Sequence, residues 1–437
     1  MRIELSYSAP HNRGKWFFLA AFTFACTLFW WLPSIIYRLV LDIDDPVRDG
    51  ILLISVLALG CFALGYLLPR SDRRLAFLSD VLMDRCTEAA WKLTVLLAIP
   101  ALLVALQFSL YRVTVQYGTG QSIPLLDQAI LYTHLFFGFM FLGGTRQGKD
   151  KRRILIVIVL LVLPRLIVSL HWERFFLAQA ILPIVFIAIA RGWIKPTAKR
   201  MAQLGSLAIL IVFVPALTRG ENLAGSNEVV AFFAHGSTLQ LFQDNLQLDL
   251  NGRCPPLMVS MTTKVVPYHL LGVCVIDIWG VKSLPATLDR ILAFNEPGSV
   301  DDLTGPGSNY LLELSLTGGL FAVLCGSAMF GFTCRKFLVW AGRRSLFAGI
   351  WAECLTRALL APRSNLGYVY ERIPTLVLAT ALFVIVINVV CRKTEASDNG
   401  SRAVIPGLKD HAYVPPQSVL PKSRPGGPSL GREHIAP

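Results

Sequence analysis

Long apolar runs separated by short polar stretches recur along the 437-residue chain, and ten of them read as helices that cross a bilayer. They cover 16–39, 50–68, 91–111, 128–145, 154–170, 175–190, 204–217, 309–333, 346–361 and 373–391. Most come near the roughly 20 residues that a helix needs to traverse a hydrocarbon core. The runs 175–190, 204–217 and 346–361 are short for that task. The pattern therefore predicts an all-α polytopic membrane protein with about ten transmembrane helices over residues 1–391. The first run follows Arg2, Arg13 and Lys15 as a signal peptide would, but it is long, holds Trp30 and Trp31, and leads into no small-x-small cleavage pattern. It is read as a retained anchor.

One interruption is much longer than the others. Residues 218–308 form a loop of about 90 residues with turn formers at Gly220, Gly225, Gly252, Pro255 and Pro256, and a loop of that length in a compact protein is usually functional. Inside it, 264–281 is apolar, yet Pro267, His269 and Asp277 argue against a full span. It is read as an interfacial or re-entrant helix. The loop 112–127 carries a flexible YGTGQSIP turn, either a cover for a cavity or a plain connector. Residues 392–437 are rich in Pro, Gly and Ser and are expected to be a disordered tail.

Composition agrees with the pattern. A chain that is 54% hydrophobic and only 16% charged, with mean hydropathy +0.56, is too apolar for an ordinary soluble globule. The net charge of +13 is explained by topology, because the cations sit in short loops beside the spans with no recognition motif for nucleic acid among them. Basic clusters recur after every second span, at 70–85, 146–153, 191–200, 335–344 and from Arg392 onward, while the first loop on the other side is acidic, with Asp42, Asp44, Asp45 and Asp49. This alternation places both termini in the cytoplasm and 218–308 outside.

The two sides differ in the kind of cation they hold. The inner side carries 28 of the 41 basic residues, as 18 Arg and 10 Lys; the rest are 11 Arg and only Lys264 and Lys282. Either residue anchors a loop, but only the planar guanidinium grips phosphate bidentately. An outer face selective for Arg points to a phosphate-bearing ligand. Arg165, Arg174, Arg219, Arg363 and Arg372 come from four helix ends at similar depth, an arrangement suited to a pyrophosphate whose charge must be compensated as it departs.

Each charge also has a plainer reading. Arg165 follows Pro164 and shares a helix face with Ser169 and Glu173, so it either serves a ligand or snorkels upward to pair with Glu173. Glu353 and Arg357, at i and i+4, neutralise one another facing the bundle interior. Glu313 enters its span one turn below the external end and is either a desolvated base for a sugar hydroxyl or a counter-ion to an Arg on another helix. Of the nine cysteines only Cys254 and Cys274 lie in the large loop, where a disulfide is allowed unless Cys274 is simply packed in its apolar run. No Cys/His spacing suggests zinc, and Asp301-Asp302 and Asp42 to Asp45 read as solvated turns. Neither a metal nor another cofactor is expected.

The sequence Gly307-Ser308-Asn309-Tyr310-Leu311-Leu312-Glu313-Leu314, followed by Gly318-Gly319 at the end of the large loop, resembles the Wzy-type polysaccharide polymerases of the polymerase and O-antigen ligase superfamily of bacterial envelopes. Glu173-Arg174-Phe175-Phe176 at a span start, Thr218-Arg219-Gly220 at the loop start and 363–372 beyond it add to the likeness, which covers roughly 150–391. The resemblance implies a GT-C-like fold in a bacterial inner membrane, in a family whose members often have more than ten spans, which allows one or two beyond the ten read here. It implies metal-independent, inverting transfer of a glycan from undecaprenyl diphosphate onto another lipid-linked repeat unit at the periplasmic face. Arg219 matches the arginine that opens the loop, and Arg363 or Arg372 the second external basic site, with Glu313 as candidate base. Arg165, Glu173, Arg174, Asn309, Tyr310 and Tyr368 are the expected substrate-binding residues. Expected partners are the lipid-linked substrates, membrane lipid, a chain-length regulator and a flippase.

The ligases of this superfamily carry a His just before the Asn, whereas this chain has Gly307-Ser308, which disfavours a ligase. The alternative from another class is a non-enzymatic flippase or transporter of lipid-linked oligosaccharide. It calls for a midplane site and pseudo-symmetric halves, and the long loop has no counterpart in the first half of the chain.

Overall fold

The computed structural model describes residues 9–32, 34–35, 46–68, 79–114, 125–146, 150–171, 175–195, 197, 199, 203, 309–364 and 366–402. Every described element is a helix: α1 (Ala9–Cys26), running into a π turn at Thr27–Trp31, then α2 (Pro46–Leu67), α3 (Asp80–Thr114), α4 (Leu125–Gly144), α5 (Lys151–His171) and α6 (Phe175–Ala190). After residues 204–308 come α7 (Tyr310–Gly342), α8 (Ala348–Ala358), a 3-10 turn at Ala361–Arg363, α9 (Leu366–Tyr370) and α10 (Ile373–Arg402). Each expected span falls on a helix as far as it is described; 204–217, and residues 33 and 36–39 of the first span, lie outside the described residues. Five helical stretches among the described residues are long and apolar enough to cross a membrane: Gly50–Leu67, Asp80–Gln107, Leu126–Gly144, Tyr310–Gly342 and Leu366–Cys391. The fold is that of an all-α membrane protein.

The chain divides into two units, Met1–Asn388 and Val389–Pro437. In the second, helix α10 continues to Arg402, past the expected start of the tail at 392, and the remainder lies outside the described residues.

Aromatic residues fill the centre of the first unit. Phe22 of α1 stacks on Phe62 of α2 at 4.0 Å between centroids, Phe62 meets Phe330 of α7 edge-on at 5.5 Å, and Phe18 packs on Phe186 of α6 at 5.7 Å. Helices α2 and α7 approach closely where Gly65 faces the Ala328 backbone and Gly331 faces that of Phe62, the small-residue contact by which membrane helices gain packing. Apolar side chains such as Leu96, Ile99, Leu103, Leu378 and Ile385 point outward instead.

Three of the basic loops expected on one side meet, through Arg146, Arg191 and Arg344, at one end of the bundle. Arg344 donates to Asp80 (2.9 Å) and to Asp84, and Arg146 also reaches Asp84 (2.7 Å). Arg191 donates to the carbonyls of Leu142 (2.9 Å), Gly143, Thr145 (3.2 Å) and Arg343 (2.8 Å), acceptors left over at the C-terminal ends of α4 and α7.

Two departures from the expected spans shape the opposite half. The run 309–333 is not one straight helix. Gly318 (φ −166°, ψ 32°) and Gly319 (φ 62°, ψ −153°) break α7, and the second of these conformations is open essentially to glycine alone. Residues 310–317 then fold back against the rest of α7: the Leu314 side chain packs on Gly326, and the Tyr310 ring lies 5.5 Å from that of Phe330. In a continuous helix these pairs would be about 18 and 30 Å apart. Glu313 is therefore within the bundle and not one turn below an end. The run 346–361 is likewise no full span, because α8 has only 11 residues before the chain turns into the 3-10 segment and α9.

Candidate functional site

The broken segments meet in the bundle interior, where lipid supplies no hydrogen bonds and each freed backbone group needs a protein partner. Asn309 caps the folded-back helix, its side chain accepting from the Leu312 amide at 2.7 Å. The Glu313 carboxylate accepts from the Leu366 amide at 2.7 Å and so caps the start of α9. Trp30, held in the π turn of α1, donates its indole N–H to the Pro362 carbonyl at 2.9 Å and packs on the Tyr310 ring at 5.7 Å. Arg357 donates to the Tyr368 carbonyl at 2.9 Å. The segment 361–372 is thereby fastened to α1, α7 and α8 by side chains.

Beside this segment lies a cluster of charge. Glu353 of α8 stands 3.3 Å from both the Arg357 Nε and an Arg372 Nη, and Glu371 is 3.3 Å from Arg357. The Tyr132 ring of α4 receives two guanidiniums, Arg372 with Cζ 4.0 Å from the centroid and Arg165 with Cζ at 5.1 Å. Arg357 lies over the Tyr368 ring at 4.4 Å. Guanidinium over an aromatic face is a favourable contact that strengthens as water is removed. Measured at 1.5 Å per residue from the basic end of each helix, Arg165 and Tyr132 stand about 21 and 18 Å up α5 and α4, roughly two-thirds of a bilayer core.

Exposure sorts the members. Arg165 is 1% exposed and the Arg357 side chain 2%, whereas the side chains of Arg372 and Glu371 are 28% and 40% exposed. A ligand approaching the cluster meets Arg372, Glu371 and the half-buried rings of Tyr132 and Tyr368, with Arg165 and Arg357 supplying positive charge from beneath. Among these described residues three guanidiniums share two carboxylates, an excess of positive charge in a medium of low polarity. The arrangement can hold an anion by charge-assisted hydrogen bonds.

Of the residues expected at the site, the structure brings Arg165, Arg372 and Tyr368 together. It places Asn309 and Tyr310, both fully buried, with Glu313 in the folded-back helix, joined to the cluster through α9. Arg363 belongs to the 3-10 turn, with its side chain outside what is described. Arg219, Glu173, Arg174, Cys254, Cys274, the helix expected at 264–281 and the whole of 218–308 lie outside the described residues. Sequence reasoning passed over Tyr132, His134 and Glu371. His134 is buried within electrostatic reach of Arg165, and its Nε2 has no hydrogen-bond partner among the described residues. The i, i+4 pairing of Glu353 and Arg357 is present, but it is not self-contained, since Arg372 and Glu371 also join it.

The site thus defines a class, a helical membrane protein with an arginine-rich polar centre built on broken helices. Comparison with protein-family models, curated proteins and solved structures finds no match to the chain.

Proposed function

We propose that the protein is a glycosyltransferase of the bacterial inner membrane that polymerises undecaprenyl-diphosphate-linked oligosaccharide repeat units at the periplasmic face. The observation that carries the reading is the convergence of Arg165 of α5 and Arg372 of the turn between α9 and α10, far apart in sequence, on the single ring of Tyr132. Two guanidiniums so placed match the charge of a diphosphate, and most of all the charge that develops as it leaves the anomeric carbon. The acceptor hydroxyl attacks that carbon from the opposite side and inverts it. Its proton goes to a carboxylate, and Glu371 is the exposed one at the cluster. Glu313, occupied with the Leu366 amide, serves by holding α9 in place. Arg219, Arg363 and Arg174 complete the phosphate contacts in this reading.

Deleting the gene and resolving surface polysaccharide on gels tests the proposal. Collapse of a ladder of long chains to a single repeat unit is expected. Loss of every unit with long lipid-linked chains retained inside would make the protein a ligase instead.

A flippase or transporter is the second reading, favoured by one observation. The fold-back at Gly318-Gly319 puts a helix terminus, at Asn309-Tyr310, inside the bundle, a device by which transporters build midplane sites. Under that reading the deletion abolishes surface glycan while single lipid-linked units accumulate on the inner leaflet.

A further inference from the structure

The turn that presents Glu371 follows from Pro374, which has no amide hydrogen and whose ring, in a continuous helix, would meet the carbonyl of Tyr370. Helix α9 stops at Tyr370 after five residues, and α10 starts afresh at Ile373. So short a helix does not hold itself, and its last carbonyls lack helical donors. One of them, the Tyr368 carbonyl, accepts from Arg357 Nη1 at 2.9 Å. The same Nη1 stands 3.3 Å from Glu371 Oε2, the Arg357 Nε stands 3.3 Å from Glu353 Oε1, and the guanidinium lies over the Tyr368 ring with Cζ 4.4 Å from the centroid. Neutralising Glu353 does not by itself require Arg357, because Arg372 answers the same oxygen at 3.3 Å. Exposure then separates the holder from the held: the Arg357 side chain is 2% exposed and that of Glu371 40%. Arg357 engages only Oε2 of Glu371, and Oε1 makes no hydrogen bond or ion pair among the described residues.

We infer that Arg357 is a positioning residue for the transfer, one that touches no substrate and acts through Glu371, an inference that rests on the proton-acceptor role proposed for that carboxylate above. Arg357 closes the carbonyl end of α9 and, from beneath, fixes the carboxylate that follows it. In the step itself the acceptor oxygen bonds to the anomeric carbon, the bond from that carbon to the diphosphate oxygen breaks, and the hydroxyl proton passes to Glu371. Arg357 gains and loses nothing. Its planar fork reaches the carbonyl and both carboxylates while its face lies on the ring, which a lysine ammonium, a single point of charge, cannot reproduce.

A double-mutant cycle on activity tests this, with the purified full-length protein in lipid nanodiscs and, as substrate, lipid-linked repeat units extracted from a host strain lacking the gene. Arg357→Lys is expected to lower kcat about tenfold or more, as a small misplacement of a reacting group does, with KM held within about twofold. Glu371→Gln lowers kcat about a hundredfold or more. Adding Arg357→Lys to Glu371→Gln then changes kcat less than about twofold, because the group that Arg357 positions is already gone. A merely structural role would cost activity equally in both backgrounds, and that result, or an undiminished kcat for Arg357→Lys alone, overturns the inference. Should the lysine variant not fold, the pair Glu353→Gln with Arg357→Gln, which removes two buried charges together, repeats the cycle with the same expectation. Full kcat in Glu371→Gln removes the assigned proton acceptor and the positioning role with it, while polymerisation stands. A wild type that makes no polymer from these units overturns the proposed function itself.

Discussion

Arginines fasten this molecule at its basic end and concentrate charge in its interior, and the two sets are wired differently. At the basic end Arg191 is spent on four backbone carbonyls, and Arg344 on Asp80, Asp84 and the Gly144 carbonyl. Arg146 and Arg153 pair with Asp84 and Glu88 at 2.7 Å, with all four side chains roughly half exposed. In the interior, Arg165, Arg357 and Arg372 lie against two aromatic rings and share Glu353 and Glu371. The contrast teaches that the number of arginines says little about their task. Guanidiniums of the basic end are held by carbonyls and exposed carboxylates, whereas Arg357 and Arg372 of the interior share a buried carboxylate and lie against half-buried tyrosine rings.

The comparison breaks most sharply at Glu353. Its removal strips a shared counter-ion from two guanidiniums in a buried setting, and breaking a buried pair in this way costs about 3–5 kcal/mol. Glu353→Ala is expected to lower thermal stability in detergent by that order. Replacing Glu353 and Arg357 together by Met should recover part of the loss, because the charges left behind, Arg372 and Glu371, are adjacent, opposite in sign and partly exposed. A Glu353→Ala protein as stable as wild type would show that the interior cluster is as well hydrated as the basic end.

Arg372 separates charge from geometry. Arg372→Lys keeps the positive charge next to Glu353 but gives up the planar fork and most of the contact with Tyr132. Under the proposed function it is expected to cut polymer formation at least tenfold at unchanged protein level, read from the polysaccharide ladder. Arg344→Lys at the basic end, compared in the same assay, should leave the ladder intact. Equal ladders from the two variants would erase the distinction between the sets.

How much of this was legible beforehand follows from the range of the signals. The basic end could be read because the rule that places cations is written in consecutive loops, and 70–85, 146–153, 191–200 and 335–344 need only be counted. The meeting of Arg165 with Arg372 was half legible: their depth follows from helix rise, but which helices are neighbours depends on packing that no local pattern encodes. Tyr132 gave no signal, since a Tyr in an apolar span is ordinary, and its meaning comes only from cations on α5 and in the turn before α10. The folded-back helix was hidden for a different reason. Hydropathy sees 309–333 as one apolar run, and only the adjacent Gly318-Gly319 hints that the run turns, which a bilayer-length window averages away.

That turn provides the next test. Gly319 holds φ 62° and ψ −153° at an exposed tip where an added Cβ meets nothing within 4 Å, so Gly319→Ala changes backbone strain without adding a clash. A non-glycine residue there is expected to cost about 1–3 kcal/mol. The loss should appear as lower thermal stability together with faster proteolysis near residue 309, because Asn309, Tyr310 and Glu313 are all delivered by the folded-back segment. Gly318→Ala, whose φ of −166° is extended backbone open to any residue and whose added Cβ meets only the Ala322 Cβ at 3.1 Å, serves as the comparison and should cost less.

The smallest effect belongs to the exposed pairs of the basic end. Arg153 and Glu88 meet at 2.7 Å, but with side chains 45% and 43% exposed the pair is screened by water and salt, and such pairs contribute about 0–1 kcal/mol. Arg153→Ala should therefore leave thermal stability within about 1 kcal/mol of wild type, with the remaining difference shrinking as salt is raised. Its guanidinium also lies 5.6 Å from the Trp91 ring centroid, the same kind of contact that Tyr132 makes in the interior. A cation over a ring at a wet surface thus gives the control for a cation over a ring in a dry one. A large, salt-independent loss from Arg153→Ala would mean that burial is not what distinguishes the two sets of arginines.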